Sequence, residues 1–222
     1  MKVHTIFFDL DDTLYPRNSG VWDALRGRIA QYMHEVVGIP EAEVPAVREY
    51  YLKTYGTSLR GLQKHYNIDA EAYLQYTHEL PIEELVKPNP ALDTMLAQLP
   101  QTKYIFTNSA SYHAERVLHA LGVKHHFSEI IDVRRMQFRS KPDPFAYQLA
   151  FDLSQTPAAE ALFVDDMPAN LRPAKALGAS TVLAGHAPVE VRAEAHEVAD
   201  ACIEHPEQLL EALPALVEFA HG

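Results

Sequence analysis

Four short polar clusters hold side chains that could do chemistry together. They are Asp9-Leu10-Asp11-Asp12-Thr13, Thr107-Asn108-Ser109, Ser140-Lys141-Pro142-Asp143-Pro144, and Asp165-Asp166 with Asn170 just downstream. Side chains two apart on extended backbone face the same way, so Asp9 and Asp11 can reach one pocket. Adding Asp165 and Asp166 brings up to four carboxylates together, which is unfavourable unless protons or a cation intervene. An oxygen-rich site of this kind suits Mg²⁺. Lys141 supplies a further positive charge, while Thr107 and the turn amides of Asn108 and Ser109 offer neutral donors to oxyanions. Acids, a hard cation, a lysine and a hydroxyl describe a phosphoryl-transfer centre. A carboxylate can serve there as nucleophile and form an aspartyl-phosphate.

The surrounding segments explain how such residues could meet. Val3 to Phe8 is a short β-branched and aromatic run that ends in the first acids, and it reads as a buried strand. Similar runs recur at Lys103–Thr107, Ile130–Val133, Ala161–Val164 and Ser180–Leu183. Between them lie helical patterns at Tyr112–Leu121, Pro144–Leu153 and Pro168–Leu177, with Gly122 and Gly178 as C-terminal stops. This alternation predicts an α/β fold, a doubly wound parallel sheet of Rossmann-like type. Open parallel sheets bind ligands beyond the carboxyl ends of their strands, where the clusters fall.

One region breaks the alternation. From about Asn18 to Val86 the patterns are helical only, at Val21–Val37, Glu41–Thr54 and Ala70–Glu79, and Pro81, Pro88 and Pro90 close the block. It reads as an inserted all-helical cap of residues 17–88, within a core of residues 1–16 and 89–222. The tail from Pro206, with Leu209, Leu210, Leu213, Leu216 and Val217, reads as a last amphipathic helix on the core.

Composition narrows the function classes. The 222 residues are 47% hydrophobic and 22% charged, which excludes a wholly disordered or fibrous chain. Asp and Glu number 30 against 19 Lys and Arg, a net charge of −11. That surface repels polyanions, so neither a nucleic-acid polymer nor an anionic membrane is an expected partner. A small anion is still admissible where a lysine or bound cation reverses the local potential. The single cysteine, Cys202, excludes an intrachain disulfide and is expected to be a small buried residue. The first residues lack a signal-peptide pattern and no run approaches a spanning helix, so a cytoplasmic location is expected.

The same clusters resemble the four motifs of the haloacid dehalogenase superfamily, and the position of the helical block resembles its helical-cap subfamily. Within the cap, Tyr50-Tyr51-Leu52-Lys53-Thr54-Tyr55-Gly56-Thr57-Ser58-Leu59-Arg60-Gly61-Leu62 and Leu80–Pro88 are similar to pyrimidine 5′-nucleotidases. The resemblance implies an in-line attack by Asp9 on phosphorus. Asp11 would protonate the leaving alcohol and then activate water. Thr107 and Asn108, with Ser109, would hold the phosphate, Lys141 would neutralise charge, and Arg60 would contact substrate. Mg²⁺ would be held by Asp9, the Asp11 carbonyl and Asp166, which stands four residues before Asn170, with Asp165 as an additional ligand. The dehalogenases lack an acid at the position of Asp11, so its presence favours phosphate chemistry.

The expected activity is therefore a Mg²⁺-dependent phosphomonoesterase acting on a pyrimidine nucleoside 5′-monophosphate, as a monomer or weak homodimer. Its rivals are the same chemistry on a sugar phosphate or lysophospholipid, a phosphomutase, and a non-catalytic phosphate-binding protein. Blander readings stand beside several residues. Arg60 could be a solvated helix residue, Tyr50, Tyr51 and Tyr55 cap core, Trp22 and Met33 likewise, and His125-His126 a surface turn. None of the 12 histidines is assigned as a ligand.

Overall fold

The computed structural model describes residues 3–185, 195 and 197–218, the side chains of 215–218 excepted. Its centre is a six-stranded parallel sheet of order β3-β2-β1-β4-β5-β6. The strands are β1 (Thr5–Phe8), β2 (Thr102–Phe106), β3 (Glu129–Ile131), β4 (Ala161–Asp165), β5 (Ser180–Ala184) and β6 (Ala201–Ile203). Phe8 pairs with Ile105 of β2 on one side and Val164 of β4 on the other. The carboxyl ends of β1, β2 and β4 are thus level. The chain leaves β1 for β2 and β3 on one side and returns to β4, β5 and β6 on the other, so the topological switch falls at β1.

Central strands covered on both faces must be apolar throughout, and β1 shows why. Consecutive side chains point to opposite faces. Phe7 stacks on Phe163 at 4.7 Å between ring centroids and meets Phe106 and Phe151 edge-on, whereas Phe8 meets Phe127 edge-on at 5.8 Å. Both phenylalanines are fully buried.

Between β1 and β2 the described backbone contains helices and no strand. These are α1 (Val21–Gln31), α2 (Val44–Tyr55), α3 (Ser58–Tyr66), α4 (Ala70–Thr77), α5 (Ile82–Leu85) and α6 (Pro90–Gln98). Helix α1 runs on through a wider π turn, Tyr32–Val36. Thr57 caps α3 and Asp69 caps α4 by accepting backbone N–H groups. The expected helix at Glu41–Thr54 is split: Glu41–Glu43 is a 3₁₀ turn and α2 opens at Val44, with Pro45 in its first turn. Met33 is core, while Trp22 is only partly buried.

Gly61 permits the closest approach in this insertion, because a Cβ there would lie 2.2–2.6 Å from Tyr51 ring atoms. Of the three tyrosines near it, Tyr51 is buried and stacks on His65, Tyr50 is exposed and Tyr55 half-buried. Among the described residues four ion pairs tie residues 17–88 to the rest of the chain: Arg17 with Asp12, Arg116 with Glu83, Arg134 with Glu71, and Arg60 with Asp143.

The remaining helices are α7 (Ser111–Leu121), α8 (Pro144–Ser154), α9 (Pro168–Ala176) and α10 (Leu209–Glu218). Helix α6 was not expected, because Pro88 and Pro90 read as breakers. Pro90 instead opens the helix at its first position, with Asn89 capping. Leu209 of α10 is buried, and the side chains of Leu216 and Val217 lie outside the described residues. Cys202 corrects the expectation of burial: it lies exposed on β6, at the edge of the sheet. His125 and His126 form a 3₁₀ turn, both with Nε2 on Asp93 Oδ1, at 3.3 and 2.7 Å. No helix among the described residues is long and apolar enough to cross a membrane.

Candidate active site

Asp9 directly follows β1, and its amide extends the ladder by donating to Val164 O at 2.8 Å. Its carboxylate is therefore fixed at the level strand ends. Oδ1 accepts from Lys141 Nζ at 2.8 Å and Oδ2 from Thr13 Oγ1 at 3.0 Å. Lys141 is buried and reaches Asp165 Oδ2 as well, at 2.7 Å. Burial alone would discharge this ammonium, but Asp165 and Asp9 outweigh it and hold the pKa above the usual lysine value. The Asp9 carboxyl is pushed up, first by burial and then by Asp165 and Asp11, with Lys141 opposing.

Asn108 holds the lysine loop in place. Its Oδ1 accepts the Lys141 amide at 2.7 Å and its Nδ2 donates to the Lys141 carbonyl at 3.0 Å. Gly56, at the end of α2, lies against the same loop: a Cβ there would come 3.1 Å from Pro142, and its φ of 82° already favours glycine. An insertion loop thus touches the loop that carries the buried lysine.

Asp165 is fully engaged. Besides Lys141, its carboxylate accepts from the Met167 amide at 2.9 Å and from Asn170 Nδ2 at 3.0 and 3.2 Å. It does not line the cavity in front of the strands, whereas Asp9, Asp11 and Asp166 do. Asp166 has no hydrogen-bond or ion-pair partner among the described residues. Burial, then Asp165, Asp9 and Asp12, push its carboxyl well above the usual range. Carboxylate oxygens of Asp9, Asp165 and Asp166 come within 4.8 Å of one another. Asp12 Oδ1 is a further buried oxygen without a partner, and burial raises that carboxyl to about 6 against the pull of Arg17. The unpartnered Asp166 beside the Asp9 carboxylate fits a hard, oxygen-seeking cation.

Asp11 departs from the expected placement. It is not on extended backbone; after Asp9 the chain turns, with the Leu14 amide donating to Leu10 O at 3.0 Å. The Asp11 carboxylate therefore leaves the acidic cluster and enters a pocket of donors. Oδ1 accepts from Tyr15 Oη at 2.6 Å and lies 2.8 Å from His113 Nε2, and Oδ2 accepts from Ser109 Oγ. Burial pushes the Asp11 carboxyl upward, but His113, Ser109 and Tyr15 together hold it well below the usual carboxylate range.

His113, on the first turns of α7, is wholly buried, and its Nδ1 has no partner. Only a ring with a proton on Nε2 can donate to this carboxylate. His78, just beyond α4, lies against it with ring centroids 4.8 Å apart. Burial, followed by His113, lowers the His78 pKa to about 3, so this ring is neutral.

Thr107 Oγ1 accepts the Ser109 amide at 3.0 Å. That amide, expected to serve oxyanions, is thus already engaged, as is the Ser109 hydroxyl. Thr107, Asn108, Ser109, Lys141 and Arg60 all line the same cavity, of about 920 Å³. Tyr15, His113 and Arg48 carried no role in the sequence reading. The i, i+4 relation of Asp11 and Tyr15 is the only one of these signals local enough to be visible there.

These features define a class. A model of haloacid dehalogenase-like hydrolases matches residues 3–178, and the chain belongs to that family. It is 30% identical over 194 residues to phosphate metabolism protein 8 of Saccharomyces cerevisiae, a match covering 80% of this chain and 60% of the yeast protein. The chain thus spans less than two thirds of that relative's length.

Many solved structures share the fold, among them the following two. β-Phosphoglucomutase from Clostridium difficile superposes with a TM-score of 0.66 at 17% identity, covering 99% of this chain and all of its own. A magnesium-bound HAD-hydrolase from Bacillus subtilis gives 0.63 at 19% identity, covering 96% and 99%.

Proposed function

We propose that this chain is a Mg²⁺-dependent phosphomonoesterase, that residues 17–88 act as its cap, and that its substrate is a pyrimidine nucleoside 5′-monophosphate. The observation that carries the reading is Asp9, fixed at the end of β1 by Lys141 and Thr13, with Asp166 unpartnered beside it and Asp11 on the neighbouring wall. Asp9, Asp166 and the Asp11 carbonyl are the groups to hold Mg²⁺, with Asp165 behind them holding Lys141. Bound there, the cation neutralises the oxygens of the phosphoryl group and favours the ionised Asp9.

In the first step one Asp9 oxygen forms a bond to phosphorus as the bond to the leaving alcohol breaks. Asp11 gives that alcohol oxygen its proton. In the second step Asp11 takes a proton from water, whose oxygen bonds to phosphorus as the Asp9–phosphorus bond breaks, releasing phosphate. Lys141 keeps the Asp9 carboxylate oriented, and Thr107 with the Asn108 amide holds non-bridging oxygens.

Asp11 rests as an anion among three donors, so its acid role requires it to gain a proton first. The insertion covers the cavity and supplies groups that meet the leaving alcohol. The pyrimidine choice draws support from the Tyr50–Leu62 segment. The test is a panel of phosphomonoesters assayed with and without chelator. Hydrolysis of uridine or cytidine monophosphate should exceed that of sugar phosphates and vanish on chelation. Sugar phosphates turned over well above nucleotides would overturn the substrate choice, and retained turnover by Asp9→Asn would overturn the chemistry.

A further inference from the structure

Arg48 of α2 is unlike the other cations of the cavity. Six Lys and Arg side chains line it: Arg17, Arg26, Arg48, Lys53, Arg60 and Lys141. Five have an acid: Arg17 has Asp12, Arg26 has Asp23, Lys53 has Glu49, Arg60 has Asp143, and Lys141 has Asp9 and Asp165. Arg48 has no hydrogen-bond or ion-pair partner among the described residues, and its Nε is sealed from solvent. In a chain with 30 acids to 19 bases, an unpaired, half-buried guanidinium does not come from a shortage of acids. Desolvating a cation without a partner is unfavourable, so such a group is retained where something else supplies the acceptor. Burial, with Arg26 as a like charge, lowers the Arg48 pKa, while the nearby Tyr73 opposes this.

The neighbours indicate what that acceptor is attached to. Trp22, Leu25, Ile29 and Leu52 line the insertion side of the cavity with Arg48. An apolar and aromatic wall suits a flat, uncharged ring, and the planar guanidinium fork suits a ring carbonyl oxygen, whose two lone pairs lie in the ring plane. A carboxylate would satisfy the fork but leave this wall without a matching surface.

We infer that Arg48 is a specificity residue that donates to the carbonyl edge of a planar heterocycle on the leaving alcohol, with the ring lying on the Trp22 and Leu52 surface. Resting on the nucleotide reading above, the inference makes Arg48 the group that separates a nucleotide from a bare sugar phosphate.

The test compares the parent enzyme with Arg48→Met and Arg48→Lys on uridine 5′-monophosphate, ribose 5-phosphate and 2-phosphoglycolate. Melting temperatures confirm folding. Losing hydrogen bonds from a charged donor should lower kcat/KM for uridine monophosphate roughly 10- to 100-fold in Arg48→Met. Activity on ribose 5-phosphate should stay within about twofold, since that substrate has no ring to reach Arg48. Arg48→Lys keeps the charge but not the fork, and should also lose most of the preference. An equal loss on ribose 5-phosphate, or an unchanged preference for the nucleotide, would overturn the inference alone. A parent enzyme that turns over ribose 5-phosphate as well as uridine monophosphate would overturn the nucleotide reading together with it. Arg48-dependent preference for 2-phosphoglycolate would replace the heterocycle by a carboxylate.

Discussion

Replacing His113 should damage the reaction in proportion to how much the leaving group needs a proton. His113 Nε2 lies 2.8 Å from Asp11 Oδ1 in a fully buried contact, and it is foremost among the groups holding that carboxyl low. That contact fixes where the Asp11 carboxyl points; a hydrogen bond to a charged partner contributes about 1.5–3 kcal/mol, so letting the carboxyl swing away should cost roughly 10- to 100-fold in kcat where it must reach the leaving oxygen. From uridine monophosphate the ribose 5′-oxygen leaves as an alkoxide-like group and needs that proton. p-Nitrophenyl phosphate leaves as a stable phenolate and does not. Stopped-flow measurement of His113→Ala should therefore show a preserved burst of p-nitrophenolate, followed by slowed turnover, because Asp11 still has to activate water. His113→Gln, whose amide can stand near the position of Nε2, should recover much of the loss on the nucleotide. Equal losses on both leaving groups, burst included, would refute the idea that His113 acts through Asp11.

Other consequences concern stability as well as rate. Lys141→Met leaves Asp9 and Asp165 as buried carboxylates without their shared cation; urea unfolding should show a loss of about 3–5 kcal/mol, and turnover should fall below detection. Gly61→Ala would put a methyl inside contact distance of the Tyr51 ring, so overpacking of α2 against α3 should lower stability by about 1–3 kcal/mol, read as a fall in Tm. Asp12 has a folded-state carboxyl raised to about 6, so it favours folding below its unfolded value near 4, and that contribution is lost as pH rises through 6. With chelator present, Asp12→Asn should thus be more stable than the parent at pH 8 and equal to it at pH 4; a gain at pH 4 that vanishes at pH 8 would contradict the sign.

Most of the core was legible in the sequence because a buried parallel sheet demands continuous apolar runs. Val3–Phe8 and Ala161–Val164 carry no competing pattern, and the acids that end them mark the site. Signals fail where a residue's role depends on which element it meets. Pro90 reads as a breaker unless it is known to open a helix, and β6 is only three residues long. His113 sits in an ordinary amphipathic helix 102 positions from its partner, and nothing local marks it. Strand alternation predicts Asp11 in this cavity, but it is the turn after Asp9 that carries it there, and away from the acidic cluster. Arg48 is informative only by the partner it lacks, which no sequence pattern shows.

In the proposed reaction Asp9 becomes covalently phosphorylated. Rapid acid quench during turnover of a phosphate-labelled nucleotide, followed by peptide mapping, tests it most directly. A hydroxylamine-sensitive label is expected on the peptide containing Asp9, absent from Asp9→Asn. Steady turnover with no protein-bound label at any quench time, or a label on another residue, would contradict it.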